Sequence, residues 1–311
     1  MKQPGATAPA VSVIIPAFES QATARATLES LRHQTFREFE TILIDSGRTN
    51  EVAEIAADFP EVRYQRSPRQ LLPHEARNVG AELATSDVLV FTDPDIVAAP
   101  DWLEKLVGAH RHVGSAIAGA VASLQRSWLE TGVHLAKFDI WLPAQGNRLV
   151  PVAASVNFLC SRELLRRAGG FDGTEMIGDT VLSWDLTDLG EDLPCIGNAI
   201  VYHDHRSTFS QLLHERFVRG ADFGRLRSDR ETWTVGRTMN VILVSVVPLR
   251  LLKLTLRSLT NSLRAGCIFD GLRTLPIIVA GHAAWLAGEI SQYCKRLHVR
   301  WAAPEAKEAC M

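Results

Sequence analysis

Val88-Leu89-Val90-Phe91-Thr92-Asp93-Pro94-Asp95 is the stretch on which the reading of this chain turns. Its first four residues form an apolar run without alternation, the pattern of a strand covered on both faces, as in a parallel sheet. Two carboxylates one residue apart follow at once, which places them at the strand's carboxyl edge, where α/β sheets collect their ligands. In extended backbone, residues i and i+2 project to one side, so Asp93 and Asp95 are expected to face a single hard divalent cation or a metal-bound diphosphate. The same tetrapeptide, Thr92-Asp93-Pro94-Asp95, is also an ordinary turn sequence. On its own it leaves both readings open.

Working outward, Val11-Ser12-Val13-Ile14-Ile15 is rich in β-branched residues and is followed by Pro16-Ala17-Phe18-Glu19, so it reads as a buried first strand stopped by proline at a loop. A helical pattern covers about 20–34, and Glu40-Thr41-Ile42-Leu43-Ile44-Asp45 gives a second strand ending in the polar turn Ser46-Gly47. Residues 52–59 read as a helix, 62–65 as a short strand and 75–84 as another helix leading to the strand before Asp93. This β-α-β-α-β-α-β order predicts an α/β fold with a right-handed, mostly parallel sheet. Pro16, Ala17, Phe18, Glu19 and Asp45 then converge at the carboxyl edge as candidates for holding a nucleotide base. Asp45 also has the chemistry to cap the turn at Ser46-Gly47.

With strand one, Asp45, Ala76-Arg77-Asn78-Val79-Gly80 and Asp93-Pro94-Asp95-Ile96 in this order and spacing, the chain resembles the family 2 glycosyltransferases, whose nucleotide-sugar-binding fold is the GT-A fold. The segments Asn157-Phe158-Leu159-Cys160-Ser161-Arg162, Gly169-Gly170-Phe171-Asp172, Gly178-Asp179 and Val201-Tyr202-His203 look like that family's acceptor side, so the likeness runs over roughly residues 9 to 230. Two features depart from the pattern: Gly178-Asp179 supplies one carboxylate where the family often has a pair, and Phe18 is followed by Glu19 where a neutral amide is common. The resemblance implies a GT-A catalytic domain over 1–230, a helical C-terminal region over 231–311, and an inverting transfer from a nucleotide-diphosphate sugar to an acceptor hydroxyl. It further implies that Asp95 is the direct metal ligand with Asp93 beside it, that His203 completes the site with His205 in reserve, and that Arg77 belongs to the donor site. Mg²⁺ or Mn²⁺ suits such a set of carboxylates and one imidazole.

Direct displacement needs one general base opposite the leaving phosphate, and Asp179 is the candidate. Asp172 reads as a turn residue, and the pair Glu191-Asp192 as a solvated turn ahead of a strand over 199–202. Further along, 211–227 carries Arg216, Arg219, Arg225 and Arg227 around Phe217 and Phe223. It reads either as a mobile segment closing Arg216 or Arg219 over the diphosphate, or as an amphipathic helix with a basic outer face. A nucleotidyltransferase is a second functional class, for which a Gly-rich loop after strand one is expected and Pro16-Ala17-Phe18-Glu19 stands instead. A non-catalytic nucleotide-sugar-binding subunit is a third.

Composition bounds these readings. With 311 residues and 46% apolar content the chain is long enough for one catalytic domain with an appendage and is neither disordered nor fibrous. Its formal charge of −2 is unevenly spread, because nine Lys/Arg stand against four Asp/Glu from Asn240 onward. No nucleic-acid partner is expected. Five cysteines without C-x-x-C spacing favour a reducing compartment, and the short polar start predicts a cytoplasmic protein. Residues 241–252 and 275–288 are apolar but interrupted, at Pro248 and Arg250 and at His282, and each falls short of the ~20 residues of a spanning helix. They read as buried helices or as helices lying in a membrane interface, the latter favoured by Lys253, Arg257, Arg264 and Arg273. A peripheral position on the cytoplasmic face, and an acceptor carried on a lipid, are the corresponding expectations.

Overall fold

The computed structural model describes residues 9–302 except 115, 125, 126, 145 and 247. Two compact units form, Met1–Leu124 with Ile140–His205, and Gln125–Asp139 with Arg206–Met311. The boundary expected at 230/231 falls at the end of one helix, Phe209–Arg230, ahead of the next, Val235–Val246, within the second unit.

The first unit is built on one sheet. Its chain order is β1 Val11–Ala17, α1 Ala24–Arg32, β2 Phe39–Asp45, α2 Glu51–Ala57, β3 Val62–Arg66, α3 Pro73–Leu83, β4 Val88–Thr92, β5 Ile96–Ala98, α4 Trp102–Val113 and β6 Ile117–Ser123. After the excursion into the second unit come β7 Arg148–Leu149, β8 Asn157–Ser161, α6 Arg162–Arg167, α7 Gly178–Asp188 and β9 Pro194–His203, the helix α5 (Trp128–Phe138) belonging to the other unit. The strands lie in the order β3-β2-β1-β4-β8-β6-β9-β5, with β7 against β9. β3, β2, β1 and β4 run parallel, as do β6 and β9, whereas β8, β5 and β7 pair antiparallel with their neighbours. Every residue of β1 is buried, which is why its sequence carries no polar alternation.

β1 runs past Pro16 to Ala17, further than its sequence suggested. Its ladder to β4 ends at Ile14, so the proline, which lacks an N–H, sits beyond it while pairing with β2 continues to Ala17 opposite Asp45. The core on one side of the sheet joins Ile14, Ile42, Ile44, Phe91, Phe158 and Phe171. Burying each such side chain contributes roughly 1.5–3 kcal/mol, the main force holding the strand ends in register.

The second unit is helical: α5, α8 Phe209–Arg230, α9 Val235–Val246, α10 Leu249–Arg264, α11 Ile268–Arg273 and α12 Leu275–Ala302. α8 begins at a capping box, in which the Thr208 hydroxyl accepts from the Gln211 N–H and the Gln211 side chain accepts from the Thr208 N–H. α8 and α12 touch backbone to backbone. A Cβ at Gly220 would overlap the Trp285 carbonyl and one at Gly288 the Phe217 carbonyl, so these positions admit no side chain. Residues 275–288 are thereby a core segment, with Ile277, Ile278, His282 and Leu286 buried. No single described helix is long and apolar enough to cross a membrane; Val235–Ser245 and Leu249–Arg264 reach that length and composition only together, bent by 63°.

Candidate active site

The two acids do not lie in a continuing strand. β4 stops at Thr92, Asp93-Pro94-Asp95 makes a turn, and β5 starts at Ile96, because proline fixes the backbone where a ladder would need an N–H. The sequence expectation of an extended i, i+2 pair is therefore corrected in its geometry, and the turn reading and the metal reading prove compatible. Asp93, Asp95 and His203 each offer a ligand atom, all within 4.8 Å of one another.

Strand register brings His203 there. β5 and β9 pair antiparallel with Ile96 opposite His203, and the Asp204 N–H donates to the Asp95 carbonyl at 2.8 Å. The His203 Nε2 consequently sits 3.6 Å from Asp95 Oδ1. His205 stacks on His203 with centroids 4.2 Å apart, so the reserve histidine packs against the first. Two carboxylates and one imidazole nitrogen match the preferences of Mg²⁺ or Mn²⁺.

Arg77 gives this cluster its charge balance. Only 3% exposed, it projects from α3 to form an ion pair with Asp93, and its second terminal nitrogen lies 3.2 Å from His74 Nδ1. One of the two acidic charges is thus compensated from inside the protein. His74 stacks on Phe171 at 5.4 Å, and Phe171 stands edge-on to Phe91 at 4.9 Å. Asn78 holds that aromatic in place, donating to the Phe171 carbonyl at 2.8 Å and accepting the Phe171 N–H at 3.0 Å. His74 and Asn78 were not singled out as site residues from the sequence. The available signal was that His74 stands three residues before Arg77 and four before Asn78 on a helix opened by Pro73, since i, i+3 and i+4 share a face.

Asp179 occupies the first turn of α7, partly buried, with Oδ1 accepting the Thr180 N–H at 2.8 Å and Oδ2 the Ser155 N–H at 3.4 Å. The helix start packs on the same histidine. A Cβ at Gly178 would overlap the Asp172 carbonyl and lie within 2.8 Å of the His74 ring, so glycine alone lets α7 approach. Asp172 is a turn residue as its sequence suggested, its Oδ1 accepting from the Thr174 N–H at 2.9 Å and hydroxyl at 2.6 Å. Glu191 and Asp192 lie in the turn between α7 and β9.

At the ends of β1 and β2, Asp45 is fully buried. Its Oδ1 accepts the Gly47 N–H at 2.7 Å and its Oδ2 the Tyr64 hydroxyl at 2.7 Å, with Arg66 at 3.4 Å. Turn capping is its visible role. Phe18 is exposed beneath the Arg48 guanidinium, 5.7 Å from the ring centroid, and Glu19 adopts φ 50° while accepting the Arg48 N–H at 3.2 Å. A positive φ in a non-glycine residue is uncommon and costs backbone energy, which marks this loop as specified by its surroundings. Arg216 and Arg219 belong to the helical unit. Arg216 lies 4.5 Å from the Trp285 ring centroid, burial drawing its pKa down to about 10, and Arg219 pairs with Glu215 at 3.2 Å. Both are engaged on α8 in a regular helix.

Comparison with known proteins adds the lineage. The family described as glycosyl transferase family 2 matches residues 12–169, half of the chain. Pre-mycofactocin glycosyltransferase of Mycobacterium tuberculosis is 28% identical over 227 residues, covering 69% of this chain and 46% of that protein, so the chain spans under half of that relative's length. Glycosyltransferase AglE of Haloferax volcanii is 26% identical over 225 residues, covering 69% of this chain and 73% of AglE. Among solved structures, the mannosyltransferase PcManGT from Pyrobaculum calidifontis, in complex with GDP-Man and Mn²⁺, superposes with a TM-score of 0.55 at 17% identity, covering 96% of this chain and 77% of that one. That likeness carries the fold. Since the acid turn, the β1 and β2 ends and α3 all fall inside the matched segment, the chain belongs to glycosyl transferase family 2, with a GT-A, mixed α/β fold and a C-terminal helical region.

Proposed function

We propose that the chain transfers a sugar from a nucleotide-diphosphate sugar to an acceptor hydroxyl with inversion, using a divalent cation held by Asp93, Asp95 and His203. The convergence of those three side chains within 4.8 Å at the carboxyl edge of the sheet carries the reading. The cation, Mg²⁺ or Mn²⁺, would offset the negative charge that gathers on the departing diphosphate. Arg77 holds Asp93 in orientation, and Asp95 and His203 present the remaining donors.

Asp179 is the general base that removes the acceptor proton, because it is a partly buried carboxylate on a helix start that abuts His74 and, through it, Arg77 and Asp93. Phe18, with Pro16, Ala17 and Glu19 beside it and Asp45 fixing the next loop, supports the base of the donor. An exposed aromatic offers a stacking face, and that ring is the one large apolar group the loop leaves open. The acceptor is lipid-linked and the enzyme is peripheral on the cytoplasmic face of a membrane. Support comes from the basic, apolar C-terminal helices and from Cys160, Cys195, Cys267 and Cys294, which are free thiols; burial pushes the Cys195 thiol up to about 11.

The test is Asp95→Asn, assayed for sugar transfer and for thermal stabilisation by a panel of nucleotide diphosphates with Mn²⁺. Transfer and metal-dependent stabilisation are both expected to vanish while the unliganded melting temperature stays close to wild type, since an edge-of-sheet carboxylate is not core. Full activity in the variant, or turnover undiminished by excess chelator in the wild type, refutes the metal assignment.

A further inference from the structure

α10 is built inside out. Along Leu249–Arg264 its buried side chains are polar, Thr255, Ser258, Asn261 and Ser262, while Leu249, Leu252, Leu256 and Leu263 are each more than half exposed. The polar stripe points inward because α5 ends in Asp139, a carboxylate only 1% exposed that must be supplied with donors. Arg257 meets it with two parallel bonds of 2.9 and 3.0 Å, Ser258 lies at 3.1 Å and Asn261 at 3.3 Å. With its polar residues committed inward at i, i+3 and i+4, the helix is left with leucines for its outer face.

The next helix continues the apolar face. α10 stops at Gly266 (φ 73°), where the Cys267 N–H returns to the Ser262 carbonyl at 2.8 Å, and the chain turns directly into α11. There Phe269 is 84% exposed and Leu272 more than half exposed. Lys253 and Arg264 are exposed at the margin of the leucine stripe, and residues 235–274 contain six Lys/Arg against the single acid Asp270.

We infer that the outer face of α10 and α11 is a membrane-docking surface for an anionic bilayer, with α10 lying in the interface plane. The inference deepens the membrane location proposed above and names the surface that makes it. A helix of 16 residues is about 24 Å long, and one apolar face flanked by basic residues is the form of an interfacial helix, with the leucines and Phe269 entering the acyl boundary and the cations meeting lipid phosphates. A second copy of the chain is the poorer occupant. In a two-fold dimer the same patch meets itself, so Lys253 and Arg264 would face their own kind across the contact.

The experiment is sedimentation of the full chain with phosphatidylcholine vesicles, with and without phosphatidylglycerol, alongside Leu252→Gln/Leu256→Gln/Phe269→Ser and Lys253→Glu/Arg264→Glu. Circular dichroism of each chain checks folding; all five positions are exposed, so the folds are expected to hold. Wild type is expected to bind the anionic vesicles and only weakly the neutral ones. The apolar triple variant should lose binding ~10-fold or more to anionic vesicles, and the charge variant should lose the preference for anionic lipid. Should wild type sediment and both variants sediment equally well, the surface is elsewhere while the membrane location stands. Should wild type not sediment at all, both fall. A concentration-dependent dimer abolished by the triple variant, in place of vesicle binding, identifies a second copy as the occupant and also overturns the inference.

Discussion

Acid should weaken the helical unit through one histidine. His282 on α12 is fully buried, with its Nε2 2.8 Å from the Ser258 hydroxyl, and it faces Arg216 of α8 and Arg257 of α10. Burial first, and then repulsion from those two guanidinium groups, lowers its pKa from the usual 6.5 to about 3. The folded chain therefore holds the ring neutral in the range where the unfolded chain would protonate it. The stabilisation is fully present above the unfolded value and drains away as pH falls from about 6.5 toward about 3. Between about pH 7.5 and about pH 5 the loss is roughly 1.5 pH units of linkage, or ~2 kcal/mol. His282→Gln removes the titration, keeps a neutral hydrogen-bonding side chain, and should flatten the dependence by that amount. Urea unfolding followed by circular dichroism at the two pH values measures both chains. Glu215 does not confuse the window, because although burial raises its pKa, Lys137 and Arg219 hold it down at about 2, so its contribution is lost only as pH falls below about 4.5. Equal acid losses in wild type and His282→Gln would refute the argument.

Asp179→Asn is expected to bind nucleotide diphosphate like wild type and to lose ~10²–10⁴ in turnover, the usual effect of removing a general base; Glu191→Gln should be close to wild type, and the reverse ranking in a transfer assay would move the base to the β9 turn. Gly178→Ala forces a methyl group against the Asp172 carbonyl and the His74 ring, so it should cost ~1–3 kcal/mol in urea unfolding. Because α7 must shift to make room, turnover should fall further than donor binding. Unchanged stability and turnover would mean that the α7 start is not held against His74.

Local pattern was enough for the skeleton. The strands read at 11–15, 40–45 and 88–91 were legible because burial on both faces imposes largely apolar runs, and the helices between them because their apolar residues recur with a helical period; the structure extends these strands to 11–17, 39–45 and 88–92. The acids at 93 and 95 could be marked because they follow a strand end that the pattern defines, whereas the histidine at 203 and the Gly178-Asp179 segment were marked only by the resemblance to the family 2 glycosyltransferases. Contacts fixed by register or by helix packing lay outside that reach. Nothing near His203 says that Ile96 will be its partner across an antiparallel ladder, and nothing near Asp93 says that Arg77 will neutralise it. The inward polar stripe of α10 depends on Asp139, 118 residues before Arg257. A periodicity reading of α10 alone places the leucines inside. Tertiary structure reversed that choice, because a buried carboxylate left without donors costs more than leucines left facing outward.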